Sequence, residues 1–207
     1  MTAKDFLPKT KSLAALQSAV QNCQGCELYQ RATQAVFGHG PATASIVIIG
    51  EQPGNEEDLA GLPFVGPAGH RLDQAMQEAG ILRESVYLTN AVKHFSWEER
   101  GPRRLHKRPS SREIKACEPW LANELVAINA KVVVCLGAVA AQVMLGREFK
   151  ITMSRGQPIL KNDKYTIATW HPSAILRAPE KVRRDEMHRE LVTDLQLASS
   201  LCSENAD

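Results

Sequence analysis

The 207 residues, 43% of them hydrophobic, can bury one sizeable core, and the length fits a single domain over residues 1–207 rather than several. A net charge of +2 is too small to mark a nucleic-acid binder unless it is concentrated, and no stretch nears the ~20 apolar residues of a membrane span. MTAKDFLPKTKSLAAL lacks the apolar centre of a secretion signal, so the expectation is a cytoplasmic monomer with no membrane partner, in which five cysteines serve metal, cluster or catalysis rather than disulfides.

In chain order, CQGC comes first and places Cys23 and Cys26 close enough to share one metal or cluster. SIVIIGEQPG (Ser45 to Gly54) is a β-branched apolar run that ends in Gly and Pro, the pattern of a buried strand entering a loop. The loop Gly50 to Gly69 offers a carboxylate (Glu51), approachable backbone and a ring (Phe64). A helix follows over Gly69 to Gly80, then a strand, VYLTN, closing on Asn90.

Phe95 to Ser110 has no clear periodicity, as a functional loop would. It holds the charge concentration: Arg100, Arg103, Arg104, Lys107 and Arg108 without an acid among them, with His106 in the middle. Beyond it Ser110 and Glu113 form a capping-box pattern for a helix over Ser111 to Ile128, which carries Cys117. KVVVCLG (Lys131 to Gly137, with Cys135) and YTIATWHPS (Tyr165 to Ser173) read as strands, Ala138 to Leu145 and Lys181 to Leu201 as helices, and SENAD as a frayed, flexible tail.

Strands alternating with helices predict a three-layer α/β/α sandwich around a central, mostly parallel four-stranded sheet, preceded by an N-terminal cluster-binding segment. The loops after Ile49, Leu88, Leu136 and Trp170 should then converge, because sites in such folds gather at the carboxyl ends of strands. Spacing alone leaves the four thiols Cys23, Cys26, Cys117 and Cys135 open between zinc and an iron-sulfur cluster. Taken singly, Cys135 reads as a small core residue, Phe64 as core, Glu51 as a solvated acid and His106 as a phosphate contact.

Together, CxxC, GE-x-PG after the first strand, LPFVGPAG, Asn90 closing the second strand, the pair Cys117 and Cys135, and HPS followed by Ala-Ile-Leu-Arg resemble the family 4 uracil-DNA glycosylases, over most of the chain from Cys23 onward. GEQPG, with Gln52 where ordinary members carry Gly, and RRLHK resemble the UdgX subgroup within that superfamily. The sequence departs from the subgroup at Asn55, where Asp is common.

The resemblance implies an enzyme that excises uracil from DNA, expected to be single-stranded, and a [4Fe-4S] cluster on Cys23, Cys26, Cys117 and Cys135. It implies that Phe64 stacks on the flipped base, that Gln52 and Asn90 bind it, and that His171 stabilises the uracil oxygen as the glycosidic bond breaks. His106 would become joined to the sugar, with Glu51 either orienting it or stabilising the sugar cation, and the flanking cations would hold its imidazole neutral. Arg103, Arg104, Lys107, Arg108 and Ser173 would hold the DNA. The competing readings are a turnover glycosylase in which water attacks, and a non-catalytic uracil-DNA binding module.

Overall fold

The run Ile46–Ile49 is buried on both faces because its alternate side chains enter two different cores. In the computed structural model, which describes residues 2–161 and 163–203, the four expected strands form: β1 (Ile46–Gly50), β2 (Tyr87–Asn90), β5 (Val132–Leu136) and β7 (Lys164–Thr169). They run parallel in the order β2-β1-β5-β7. The sheet has five strands rather than four, since β6 (Ile159–Lys161) pairs antiparallel with β7 at one edge. At only three residues, with a lysine in it, β6 shows no usable alternation. The last four residues of the tail expected to fray lie outside the described residues.

Ile46, Ile48, Val132, Val134, Leu136 and Ile167 face one core with α3 (Pro67–Glu78), α7 (Pro172–Arg177) and α8 (Lys181–Ser203). Val47, Ile49, Val133, Cys135 and Ala168 face the other, against α4 (Ser111–Ile128) and α5 (Gly137–Leu145). This is the expected three-layer sandwich. A smaller third cluster joins α1 (Leu13–Val20) and the N-terminal segment to α4 through Leu16, Val20, Cys23, Phe37, Cys117 and Trp120.

The chain leaves β1 toward β2 on one side and returns past it to β5 on the other, so the connections diverge between β1 and β5 at the carboxyl end of the sheet. That divergence opens a crevice where ligands bind in open α/β sheets. Two short helices, α2 (Asn55–Ala60) and α6 (Ile151–Ser154), border it. No helix among the described residues is long and apolar enough to cross a membrane.

The stretch Phe95 to Ser110 is not an open loop. Trp97–Arg100 (β3) and Arg103–His106 (β4) pair as an antiparallel hairpin, with Trp97 opposite His106. Gly101 turns it at φ 58°, the left-handed region that glycine enters without strain, and Pro102 follows. Both strands are polar and mostly exposed, so no hydrophobic period marked them. The predicted cap is present: Ser110 Oγ accepts from the Glu113 N–H at 3.3 Å, and the Glu113 carboxylate accepts from the Ser110 N–H at 2.6 Å.

Candidate active site

The four strand-end loops converge on a cavity of about 740 Å³ lined by Glu51, Phe64, Asn90, His106, His171 and Arg177, among others. Its floor is built by close approach. A Cβ on Gly50 would stand 2.3 Å from Asn90 Oδ1 and 2.7 Å from the Phe64 ring, so only glycine lets β1 end between them. The Asn90 side-chain amide is buried and makes no hydrogen bond among the described residues, leaving its donor and acceptor for a ligand.

Phe64 sits at φ 56°, a conformation rare for a bulky residue. The loop is held there from two sides. The Glu57 carboxylate accepts from the Val65 and Gly66 N–H groups at 3.1 and 2.8 Å and from Gly54 at 3.0 Å. Arg83 Nη2 donates to the carbonyls of Pro63 and Phe64 at 3.2 and 3.0 Å, and Asp73 fixes its other nitrogen. The ring is thus fixed in place before any base arrives.

His171 caps α7. Its Nδ1 accepts from the Ser173 N–H at 3.1 Å and lies 2.8 Å from Ser173 Oγ, so the ring proton sits on Nε2. Burial, with Arg177 and His106 adding to it, lowers its pKa to about 4, which keeps it a neutral donor. Ser173, expected at the DNA, orients this imidazole.

His106 ends β4 with Nε2 3.9 Å from Glu51 Oε1. That oxygen is buried without a hydrogen-bond partner, and burial raises the Glu51 pKa against the pull of Arg108 and Arg177. The His106 pKa is lowered, first by burial and then by Arg177. The expected direction holds, but its source is not the run of cations beside it in sequence. Arg177, the arginine that closes the motif HPSAILR, is the cation that faces both histidines and the carboxylate; the motif is visible in the sequence, but it gave this arginine no role.

Two residues expected at the ligand are hydrogen-bonded within the protein. Gln52 donates from Nε2 to the carbonyls of Ser96 and Lys107, both at 3.0 Å, and accepts the Ser96 N–H at 2.9 Å. Its amide thus ties the hairpin to the sheet, and the residue also lines the cavity. Arg104 donates to buried Asp58 at 2.7 Å and to Asn55 Oδ1 at 2.9 Å, and lies over the Phe95 and Trp97 rings. It is a strut between hairpin and α2, while Arg103, Lys107 and Arg108 remain exposed. Asn55 supplies the acceptor this strut needs without a charge.

Uracil DNA glycosylase superfamily is the description of the family model that matches residues 37–196. The chain belongs to that superfamily. The Type-4 uracil-DNA glycosylase of Thermotoga maritima is 39% identical over 183 residues, 87% of this chain and 90% of that protein. Those of Archaeoglobus fulgidus and Sulfurisphaera tokodaii are 34% and 36% identical, over 93% and 81% of this chain and 94% and 77% of theirs.

In this superfamily member three of the four expected thiols come together. Cys23, Cys26 and Cys117 share the third core cluster, with the Trp120 Nε1–H on Cys23 Sγ at 3.2 Å and the Lys93 N–H on Cys117 Sγ at 3.3 Å. Burial pushes the Cys117 thiol up to about 12, and Lys93 opposes it. Buried sulfurs that already receive N–H donors suit thiolates bound to a cluster. Cys135 does not join them: it packs in the second core, which meets α4 further along at Leu121 and Ile128, and burial raises its pKa with no other thiol contributing.

A second group missed in the sequence lies behind Asn90. Lys93 and Glu124 form a fully buried ion pair; the Lys93 ammonium also donates to Thr89 Oγ1 and the Asn90 carbonyl, each at 2.8 Å. Glu124 accepts further from Tyr87 and from the Gly38 N–H at 2.9 and 3.0 Å. A lone lysine in NAVKHF gives no sign of a partner 31 residues away.

Proposed function

We propose that this protein excises uracil from DNA and is joined through His106 to the sugar that remains, as a UdgX-like member of its superfamily. The observation that carries the reading is the facing pair of His106 and Glu51, 3.9 Å apart, on a cavity whose floor is Phe64 and Asn90 and whose far side is His171. Single-stranded DNA is the expected substrate form, since turning out an unpaired base costs least.

The flipped base stacks on Phe64, and the Asn90 amide both donates to and accepts from its pairing edge. As the C1′–N1 bond breaks, the electron pair leaves with uracil, and the Nε2–H of His171 meets the charge growing on its oxygen. The sugar becomes an oxocarbenium-like cation beside the Glu51 carboxylate. A ring nitrogen of neutral His106 gives its lone pair to C1′, and the imidazolium formed loses its remaining N–H proton. The product is a neutral N-substituted imidazole, a poor leaving group because its departure would form an imidazole anion. A cluster on Cys23, Cys26 and Cys117 would act as structural support, tying the N-terminal segment to α4.

Water capture, the conventional Type-4 outcome, is the second reading, favoured by the likeness to the Type-4 relatives over nearly their whole length. A denaturing gel separates the two. With uracil-containing single-stranded DNA the wild type should give one shifted protein-DNA band per molecule, and His106→Ser should release abasic DNA in multiple turnovers. Free abasic product from the wild type with no shifted band would sink the covalent reading and leave the turnover one.

A further inference from the structure

The active-site cavity does not stand alone. Arg108, on its rim, also lines a second cavity of about 370 Å³ between the start of α4 and α5. Arg147, just past α5, lines that cavity and also a third, of about 740 Å³, that passes over Cys26 and Tyr29. The three hollows therefore lie side by side in a run around the start of α4, each sharing an arginine with the next.

The chemistry of the run suits a nucleic-acid strand. The second cavity has Pro109, Ile114, Val139 and Val143 in its lining, apolar groups of the kind on which a base can pack. Arg112, Lys115 and Arg147 are exposed and make no ion pair or hydrogen bond among the described residues. Glu27 and Glu118 also line the run, whereas the Glu113 carboxylate is turned to the helix cap.

We propose that this run is the track for one flank of a single-stranded DNA substrate. The nucleotide next to the uracil packs its base against this apolar lining between α4 and α5, and the phosphates follow Arg108, Arg147, Arg112 and Lys115. The proposal rests on the reading that the first cavity takes the uracil nucleotide. It adds a direction: only one of the two flanks, the 5′ or the 3′ side, is held.

The test uses fluorescence anisotropy on the full chain with single-stranded oligonucleotides of one length that carry 2′-fluoro-2′-deoxyuridine, whose glycosidic bond resists cleavage, near either end. The wild type should bind one polarity ~10-fold more tightly, and Arg112→Glu/Arg147→Glu should lose that preference. The slope of log Kd against log salt should fall by about 1.4 in the double variant, for two lost single-strand phosphate contacts. Arg112→Gln/Arg147→Gln, with the charges removed but not reversed, should show the same slope change while retaining the wild-type circular dichroism. Equal affinity for both polarities, or an unchanged slope in both variants, overturns the track and leaves the groove to a protein partner. Thymine oligonucleotides separate the two readings: if the wild type shows no preference for uracil over thymine, the pocket reading fails, and the salt slope alone still scores the track.

Discussion

His171 and His106 show how far neutrality at a site is set by surroundings rather than by neighbours in sequence. Both imidazoles are lowered by burial and by Arg177, a residue of a different helix. His94, buried behind the hairpin, is likewise lowered to about 4. An unfolded chain takes up these protons near the ordinary 6.5 and the folded one resists until about 4, so below 6.5 the unfolded state binds more protons. Stability should therefore be flat above 6.5 and decline as pH falls toward 4, and His171→Gln should flatten part of that decline in thermal melts between pH 7 and 4. A slope unaffected by the substitution would mean that His171 titrates freely. At this scale the sequence was legible where a residue's type fixes its use: Phe64, Asn90, His106 and His171 all line the cavity. It was illegible where direction decides, since nothing in GEQPG says that the Gln52 amide faces Ser96 and Lys107.

The hairpin and the Phe64 loop are the two elements that bring chemistry to the sheet, and each is held by side chains outside itself. Gln52 bonds both ends of the hairpin at Ser96 and Lys107, next to His106, so it holds the strand that carries the imidazole. Gln52→Ala removes three hydrogen bonds, a loss of ~1–3 kcal/mol in stability if the freed groups stay buried. The chemical readout is more specific: uracil release should persist while formation of the protein-DNA band slows by ~10-fold or more, since a small misplacement of a reacting group has effects of that order. Equal slowing of both steps would assign Gln52 to the base instead. The helix after the hairpin was legible to the residue, because Ser110 and Glu113 form a local capping signal. The hairpin was not: its strands gain their order from Arg104, Asp58 and Gln52, contacts that join distant parts of the chain.

Across the whole molecule, one sheet separates two cores, and the thiols divide between one of these and the third, N-terminal cluster. Cys117 lies near the start of α4 in that cluster, while Cys135 lies in the core that meets α4 further along, which a count of the residues between them cannot reveal. Cys117→Ser should therefore abolish the visible absorbance and bound iron of a freshly purified protein. Cys135→Ala should keep both and lose only the ~1–2 kcal/mol expected for a small core truncation. Loss of colour in Cys135→Ala alone would bring that thiol back into the ligand set. The four parallel strands and the layers were legible because apolar runs bounded by Gly, Asn and Pro are local signals; the order of the strands, the fifth strand and the division of the thiols depend on packing. Lys93 joins the thiols to the cavity. Its amide touches the sulfur of Cys117 and its ammonium holds the carbonyl of Asn90, so one residue links the thiol group to the cavity floor. A change at the thiols would therefore be felt at that floor through a single side chain and its own backbone.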